Sequence, residues 1–233
     1  MCGRFTIVPT IDFHERFGLP AGAVMSPRYN VAPGQEVPVI VRGDRNHAVP
    51  MIWGLVPPFA KDPVGGRPMI NARAETLLER PAFREAVQKN RCLVPASGFY
   101  EWKKEGKRKV PFYIRLKTTP IFAFAGLYEI RRDPARGELA TFTIITTKPN
   151  ELVAGLHDRM PAILPRGKEE DWIRAGVVGP AELSGILAPY LPGEMEAFPV
   201  SGKVNDPRSE GPGLIQPLPG LTCPGTSLFP PGT

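Results

Sequence analysis

Pro111-Phe-Tyr-Ile-Arg-Leu116, then Lys117-Thr-Thr-Pro120, then Ile121-Phe-Ala-Phe-Ala-Gly-Leu-Tyr-Glu-Ile130 is the stretch that decides the fold class. Both apolar runs are rich in β-branched and aromatic residues, and a proline-bearing break separates them, as between two strands. Outward from it, Thr141 to Thr147, Val37 to Val41 and Cys92 to Val94 read the same way. Helical signals are fewer. Ala74 to Asn90 carries Leu77, Leu78, Phe83 and Val87, with Pro81 opening a second helical piece. Lys168 to Ala175 and Ala181 to Tyr190 are the other helical candidates. The expectation is one α+β domain over residues 1–218, with a mainly antiparallel, barrel-like or sandwich β-sheet core and a few short flanking helices. Residues 219–233, rich in Pro, Gly, Ser and Thr, read as a disordered tail.

Composition bounds the function classes. With 42% apolar and 22% charged residues in 233, wholesale disorder is excluded. The 24 glycines and 29 prolines favour short strands joined by turns over long helices. No stretch approaches the roughly 18 uninterrupted apolar residues of a membrane helix. The opening MCGRFTIVPT has no secretory apolar core. Three cysteines without paired spacing argue against a disulfide scaffold and for a reducing compartment, so the expected address is the cytoplasm. Of these, Cys92 begins a strand and is expected to be buried, whereas Cys223 lies idle in the tail. A net charge of +6 fits a polyanionic partner, and equally an ordinary basic protein.

Cys2 directly follows the initiator methionine, and its small side chain favours methionine removal, which leaves cysteine as the first residue of the mature chain. Such a residue carries two nucleophiles on adjacent carbons. An α-amine with a reference pKa near 7.8 is free at pH 7 about 400 times more often than a lysine amine near 10.4. It attacks an aldehyde to give a Schiff base. The thiol then adds to the same carbon and closes a five-membered thiazolidine, a step favoured by being intramolecular. Alternatively, Cys2 is an incidental residue of a first strand. Gly3 lets a substrate backbone approach, and Arg4 suits phosphate.

Other polar residues interrupt apolar runs. Asn71 and Arg73 in Met69-Ile-Asn-Ala-Arg-Ala-Glu-Thr76 sit between a strand-like pair and a helix, where a helix cap is the ordinary use of Asn71. Glu101, in Ser97-Gly-Phe-Tyr-Glu-Trp102, lies between large aromatics, where desolvation would raise its pKa and suit it to proton transfer. It would otherwise face solvent on an alternating strand. His157, in Leu156-His-Asp-Arg-Met-Pro161, is one of three histidines and stands beside an acid and an arginine; a plain loop hydrogen bond is its other reading. Phe59, in Trp53-Gly-Leu-Val-Pro-Pro-Phe59, could stack on a base, worth roughly 1–3 kcal/mol, whereas Trp53 reads as core. No His or Cys pair has metal-ligand spacing, so no metal and no cofactor are expected.

Met1-Cys-Gly-Arg-Phe5, Arg28-Tyr-Asn-Val-Ala-Pro-Gly34, Trp53-Gly-Leu55, Ile70-Asn-Ala-Arg-Ala-Glu-Thr76, Gly98-Phe-Tyr-Glu-Trp102, His157-Asp-Arg-Met-Pro161 and Pro199-Val-Ser201 occur in this order. Together they resemble the SRAP family (SOS response-associated peptidase, the abasic-site-processing proteins), from Met1 to about Leu218. The resemblance implies a protein that binds abasic sites in single-stranded DNA and crosslinks to them through Cys2. It places the family's asparagine, glutamate and histidine on Asn71, Glu101 and His157. It also implies DNA contacts at Arg4, Arg73, Thr146 and Arg159. Where some relatives carry two adjacent tryptophans, this chain reads Pro57-Pro-Phe-Ala-Lys61, which leaves Phe59 as the single wedge. The peptidase label fits self-removal of the N-terminal residue.

The expected chemistry opens the sugar with His157, attacks C1′ with the Cys2 amine, moves protons through Glu101 and holds the geometry with Asn71. A stalled Schiff base would undergo β-elimination and cut the strand, a lyase activity. Phosphates would be held largely without sequence preference by a monomer with no membrane contact and no protein partner legible in the sequence. Two rivals remain. N-terminal-nucleophile amidotransferases also begin Met-Cys-Gly but attack amides with the thiol. A plain single-strand-binding module would bind DNA without any adduct.

Overall fold

Proline and glycine punctuation cuts the chain into short extended pieces, and those pieces close into a barrel. The structure, a computed structural model, describes residues 2–20, 25–60, 68–133, 137–174 and 176–219. Its strands are β1 (Phe5–Ile7), β2 (Arg28–Val31), β3 (Glu36–Arg42), β4 (Asn46–Trp53), β5 (Asn71–Arg73), β6 (Arg91–Ala96) and β7 (Gly98–Glu105). They continue as β8 (Arg108–Leu116), β9 (Phe122–Asp133), β10 (Gly137–Thr147), β11 (Met160–Pro161), β12 (Ile163–Leu164) and β13 (Met195–Pro199). Of the expected tail at 219–233, residues 220–233, Cys223 among them, lie outside the described residues.

Five strands form a ring in which β4 pairs β3, β3 pairs β6, β6 pairs β9, β9 pairs β10 and β10 returns to β4. Closure leaves no edge within the ring. The closing β10–β4 pair is parallel, and so is the β5–β10 pair, a departure from the otherwise antiparallel pattern that sequence reading anticipated. Glycine makes one close approach possible. Gly126 of β9 pairs with Cys92 on one side and Ile144 on the other, and a Cβ there would lie 2.8 Å from Cys92 Sγ. Pro38 faces Pro50 across β3 and β4. Neither can donate, so the two prolines occupy a position where no mutual hydrogen bonds form.

The second sheet, ordered β13-β8-β7-β1-β2, is antiparallel and packs on the barrel through aromatic rings. Phe5 of β1 meets Trp53 edge-on at 5.1 Å and Phe124 at 5.9 Å, and Phe99 of β7 meets Phe124 at 6.0 Å. All four are fully buried.

Helices are short. The 74–90 stretch is split in two, as Pro81 implied, but the pieces are shorter than expected: a 3-10 turn at Ala74–Thr76 and a single α-turn at Ala86–Lys89, which begins beyond Pro81 rather than at it. Pro81 removes one amide donor and disfavours helical backbone at Arg80, so the segment breaks there. Leu77, Phe83 and Val87 are buried all the same. The other two candidates form Glu169–Ile173 and Pro180–Ile186. Among the described residues, no helix is long and apolar enough to cross a membrane.

Candidate active site

The β1–β7 ladder carries the N-terminus to Glu101. Phe5 pairs with Phe99 and Thr6 with Gly98, and the Tyr100 amide donates to Arg4 O at 3.0 Å. Extending that register sets Gly3 opposite Glu101 and Cys2 beside Trp102. Gly98 allows this sheet to fit, because a Cβ there would stand 2.4 Å from the Tyr113 ring, whose hydroxyl lies 2.9 Å from Thr6 Oγ1. Cys2 is fully buried. Burial pushes its thiol far above the ordinary range, and the charge of Glu101 adds to the effect.

Asn71 reaches Cys2 from the barrel side. Its Nδ2 donates to Cys2 O at 2.8 Å, while its Oδ1 is buried without a hydrogen-bond partner. The residue caps no helix; it opens β5 beside Ile144. Trp53 fixes that position by donating from Nε1 to Ile70 O at 2.9 Å, and Ile70 O also accepts from the Ile144 amide at 3.2 Å. Trp53 is therefore core, as its sequence context implied, and it also sets the strand that carries Asn71.

Glu101 is 2% exposed on β7, so it does not face solvent. Burial raises its carboxyl to about 7, with the nearby Asp158 charge contributing in the same direction. His157 follows the turn Glu151–Ala154 and is about one-third exposed, its Nδ1 2.8 Å from Asp158 Oδ1. The same nitrogen accepts the Arg159 amide at 3.1 Å. These contacts belong to different protonation states: the Arg159 N–H needs a lone pair on Nδ1, whereas the carboxylate favours a proton there. Burial, the largest effect, lowers the His157 pKa. The neutral ring that accepts from Arg159 carries its proton on Nε2.

Cys2, Asn71 and Glu101 thus converge, with the His157 loop electrostatically in contact through Asp158. The residues proposed for DNA differ in availability. Arg73 is exposed and makes no ion pair or side-chain hydrogen bond among the described residues. Phe59 is 61% exposed on a turn, as a stacking ring would be. Arg4 is engaged by Asn30 Oδ1 at 2.7 Å and Val204 O at 2.8 Å. Arg159 makes a two-pronged ion pair with Glu75 at 2.8 Å and also donates to Thr146 O. Thr146 is fully buried between Arg73 of β5 and Pro161 of β11. An open cleft of about 600 Å³ between residues 74–79 and the helix Pro180–Ile186 adjoins Glu75 but is lined by none of Cys2, Asn71, Glu101 or His157. No cluster of His, Cys, Asp or Glu among the described residues could hold a metal ion.

Sequence reading missed Asn30 and Glu75, and noted Asp158 only as the acid beside His157. Asn30 is fully buried, with Nδ2 donating to Asp206 O and Ser209 O at 2.9 Å each. A polar amide ahead of apolar Val31-Ala32 was the available signal.

Compared with known proteins, residues 1–207 match the family model described as SOS response associated peptidase (SRAP). The chain is 47% identical over 223 residues to the abasic site processing protein YoqW of Bacillus subtilis, covering 93% of this chain and 99% of that one. It is 34% identical over 232 residues to the abasic site processing protein YedK of Escherichia coli, covering 94% and 100%. A crystal structure of a protein from Bacteroides thetaiotaomicron matches with a TM-score of 0.73 at 33% identity, covering 82% and 85%.

Proposed function

The chain belongs to the SRAP family, and from that premise we propose that it processes abasic sites in DNA by covalent capture through a mature N-terminal Cys2. The observation that carries this reading is the Asn71 amide, which holds the Cys2 carbonyl while its own Oδ1 lies buried and unpartnered. Once Met1 is removed, the Cys2 nitrogen becomes an amine, and Asn71 Oδ1 supplies an acceptor for its N–H within the same residue's reach.

The chemistry then runs in a balanced order. Opening the abasic sugar takes a proton from the C1′ hydroxyl and delivers one to the ring oxygen. His157 relays it, and the Asp158 carboxylate steadies the imidazolium while it exists. The Cys2 amine adds to C1′, and Glu101, poised near pH 7, protonates the departing hydroxyl so that water leaves and an iminium remains. The thiol adds to that carbon and loses its proton, closing the thiazolidine. Where closure lags, loss of a C2′ proton and of the 3′ phosphate cuts the strand instead.

The buried thiol bears on the rival amidotransferase reading. That chemistry opens with a thiolate attacking an amide, and burial here opposes the thiolate. An iminium is a stronger electrophile formed next to the thiol, so the late thiol step tolerates the raised pKa. Denaturing electrophoresis with abasic and intact single-stranded oligonucleotides tests the proposal. A heat-stable adduct on the abasic strand alone is expected, lost when one residue is added before Cys2. A full-strength adduct from the extended protein would overturn it.

A further inference from the structure

Beyond Glu101 the same strand runs into a basic hairpin. Between positions 103 and 109 it carries Lys103, Lys104, Lys107, Arg108 and Lys109 against the single carboxylate Glu105. Lys103 pairs with Glu105 at 3.5 Å. The other four cations are exposed and meet no carboxylate among the described residues. Lys104 stands directly opposite Lys109 in the β7–β8 ladder. Like charges at facing positions destabilise a strand pair, so the sheet itself gives no reason for this placement.

Position supplies the second argument. The N-terminal strand runs antiparallel along β7, so going back from Phe5 toward Cys2 leads toward the hairpin tip. The turn at Glu105 lies three residues past Trp102, roughly 10 Å from Cys2 at about 3.3 Å per residue. The Lys104 charge also reaches His157, where it disfavours the imidazolium. The cations therefore border the reacting centre. A polyanion passing the site would relieve their mutual repulsion.

We propose that the β7–β8 hairpin, through Lys104, Lys107, Arg108 and Lys109, is a phosphate-binding arm that grips the DNA backbone flanking the abasic site. The inference rests on the abasic-site reading given above and adds to it a surface and its ligand chemistry. Contact is to phosphate, hence insensitive to base sequence and sensitive to salt.

The test compares the wild type with K104Q/K107Q/K109Q on an abasic trinucleotide, too short to span the hairpin, and on a long abasic oligonucleotide. For a single strand, one phosphate contact changes affinity about 2.6-fold between 50 and 200 mM salt, so three contacts are worth about 20-fold. The long oligonucleotide should bind the wild type with a steeper salt dependence than the variant by about that factor, while the trinucleotide shows no difference. Melting temperature serves as the folding control and should be unchanged or raised, since the facing lysines are gone. Equal salt slopes on the long oligonucleotide would overturn the arm while leaving the capture chemistry standing. Absence of any adduct from the wild type would instead sink the reading beneath it.

Discussion

Replacing Glu101 by glutamine should flatten one component of the pH dependence of stability. In the folded protein burial raises this carboxyl from 4.5 to about 7. The native state therefore holds its proton over a range where the unfolded chain has lost it. A group raised in this way contributes stability that is fully present below about pH 4.5 and lost as pH climbs through 7. At about 1.36 kcal/mol per pH unit, that interval is worth roughly 3 kcal/mol. Glutamine fills nearly the same volume and has no proton to lose.

Measured as the difference between the two proteins, other titrating groups cancel. Wild type minus Glu101→Gln should fall by roughly 3 kcal/mol from pH 4 to pH 8. For a chain of this size that is a relative shift in melting temperature of about 6–12 °C, with the variant gaining at high pH. Thermal unfolding at several pH values reads it directly. A difference independent of pH would show that Glu101 titrates normally, and the case for it as a proton carrier at neutrality would go with it.

Cys2→Ala, with methionine still removed, should lose the stable adduct but keep Schiff-base strand cleavage on a denaturing gel; a persistent heat-stable adduct would contradict thiazolidine closure. His157→Ala should slow capture of a cyclic abasic sugar by about 10²–10⁴-fold, and a substrate already presented as an open aldehyde should restore much of the rate. Glu101→Gln should be rescued less by that substrate, and equal rescue of both variants would remove His157 from ring opening. Gly98→Ala should cost roughly 1–3 kcal/mol by overpacking against Tyr113, seen as a lower urea midpoint.

Much of the fold was legible because strand pattern is local. The runs at 37–41, 92–94, 111–116 and 141–147 fall inside strands of the structure, and 121–130 does so from Phe122 onward. β4 escaped because Pro50 interrupts it, and the facing Pro38 that makes this tolerable is visible only once the two strands are paired. In the 74–90 stretch the break at Pro81 was legible but the shortness of the pieces was not, because Leu77, Phe83 and Val87 are buried by tertiary packing rather than along one helical face. The site divided along the same line. Cys2, Asn71, Glu101 and His157 stand out as polar residues in unusual local settings. Their supports do not, because those contacts span long separations: Asn30 to Ser209, Trp53 to Ile70, Arg159 to Glu75. Only the topology brings these together.

The proposed capture through an N-terminal Cys2 poses a physical problem, since the first residues of most domains fray. Here the end is tied from three directions. β7 holds its backbone as a ladder, with the Tyr100 amide bonded to Arg4 O. Asn71 clamps the Cys2 carbonyl from β5, on the barrel. Arg4, two residues on, is locked through Asn30 and Val204 O to the chain's C-terminal segment. Under the proposed capture by Cys2, the second sheet and the segment after β13 would serve the same end as the barrel: they fix in advance the translational and rotational freedom that an amine would otherwise lose on meeting its carbonyl, a term that in favourable cases approaches about 7–11 kcal/mol. The three ties come from three separate parts of the chain. Loosening any one of them should slow adduct formation, and because Cys2 is itself part of the buried core, melting temperature must be followed alongside the rate.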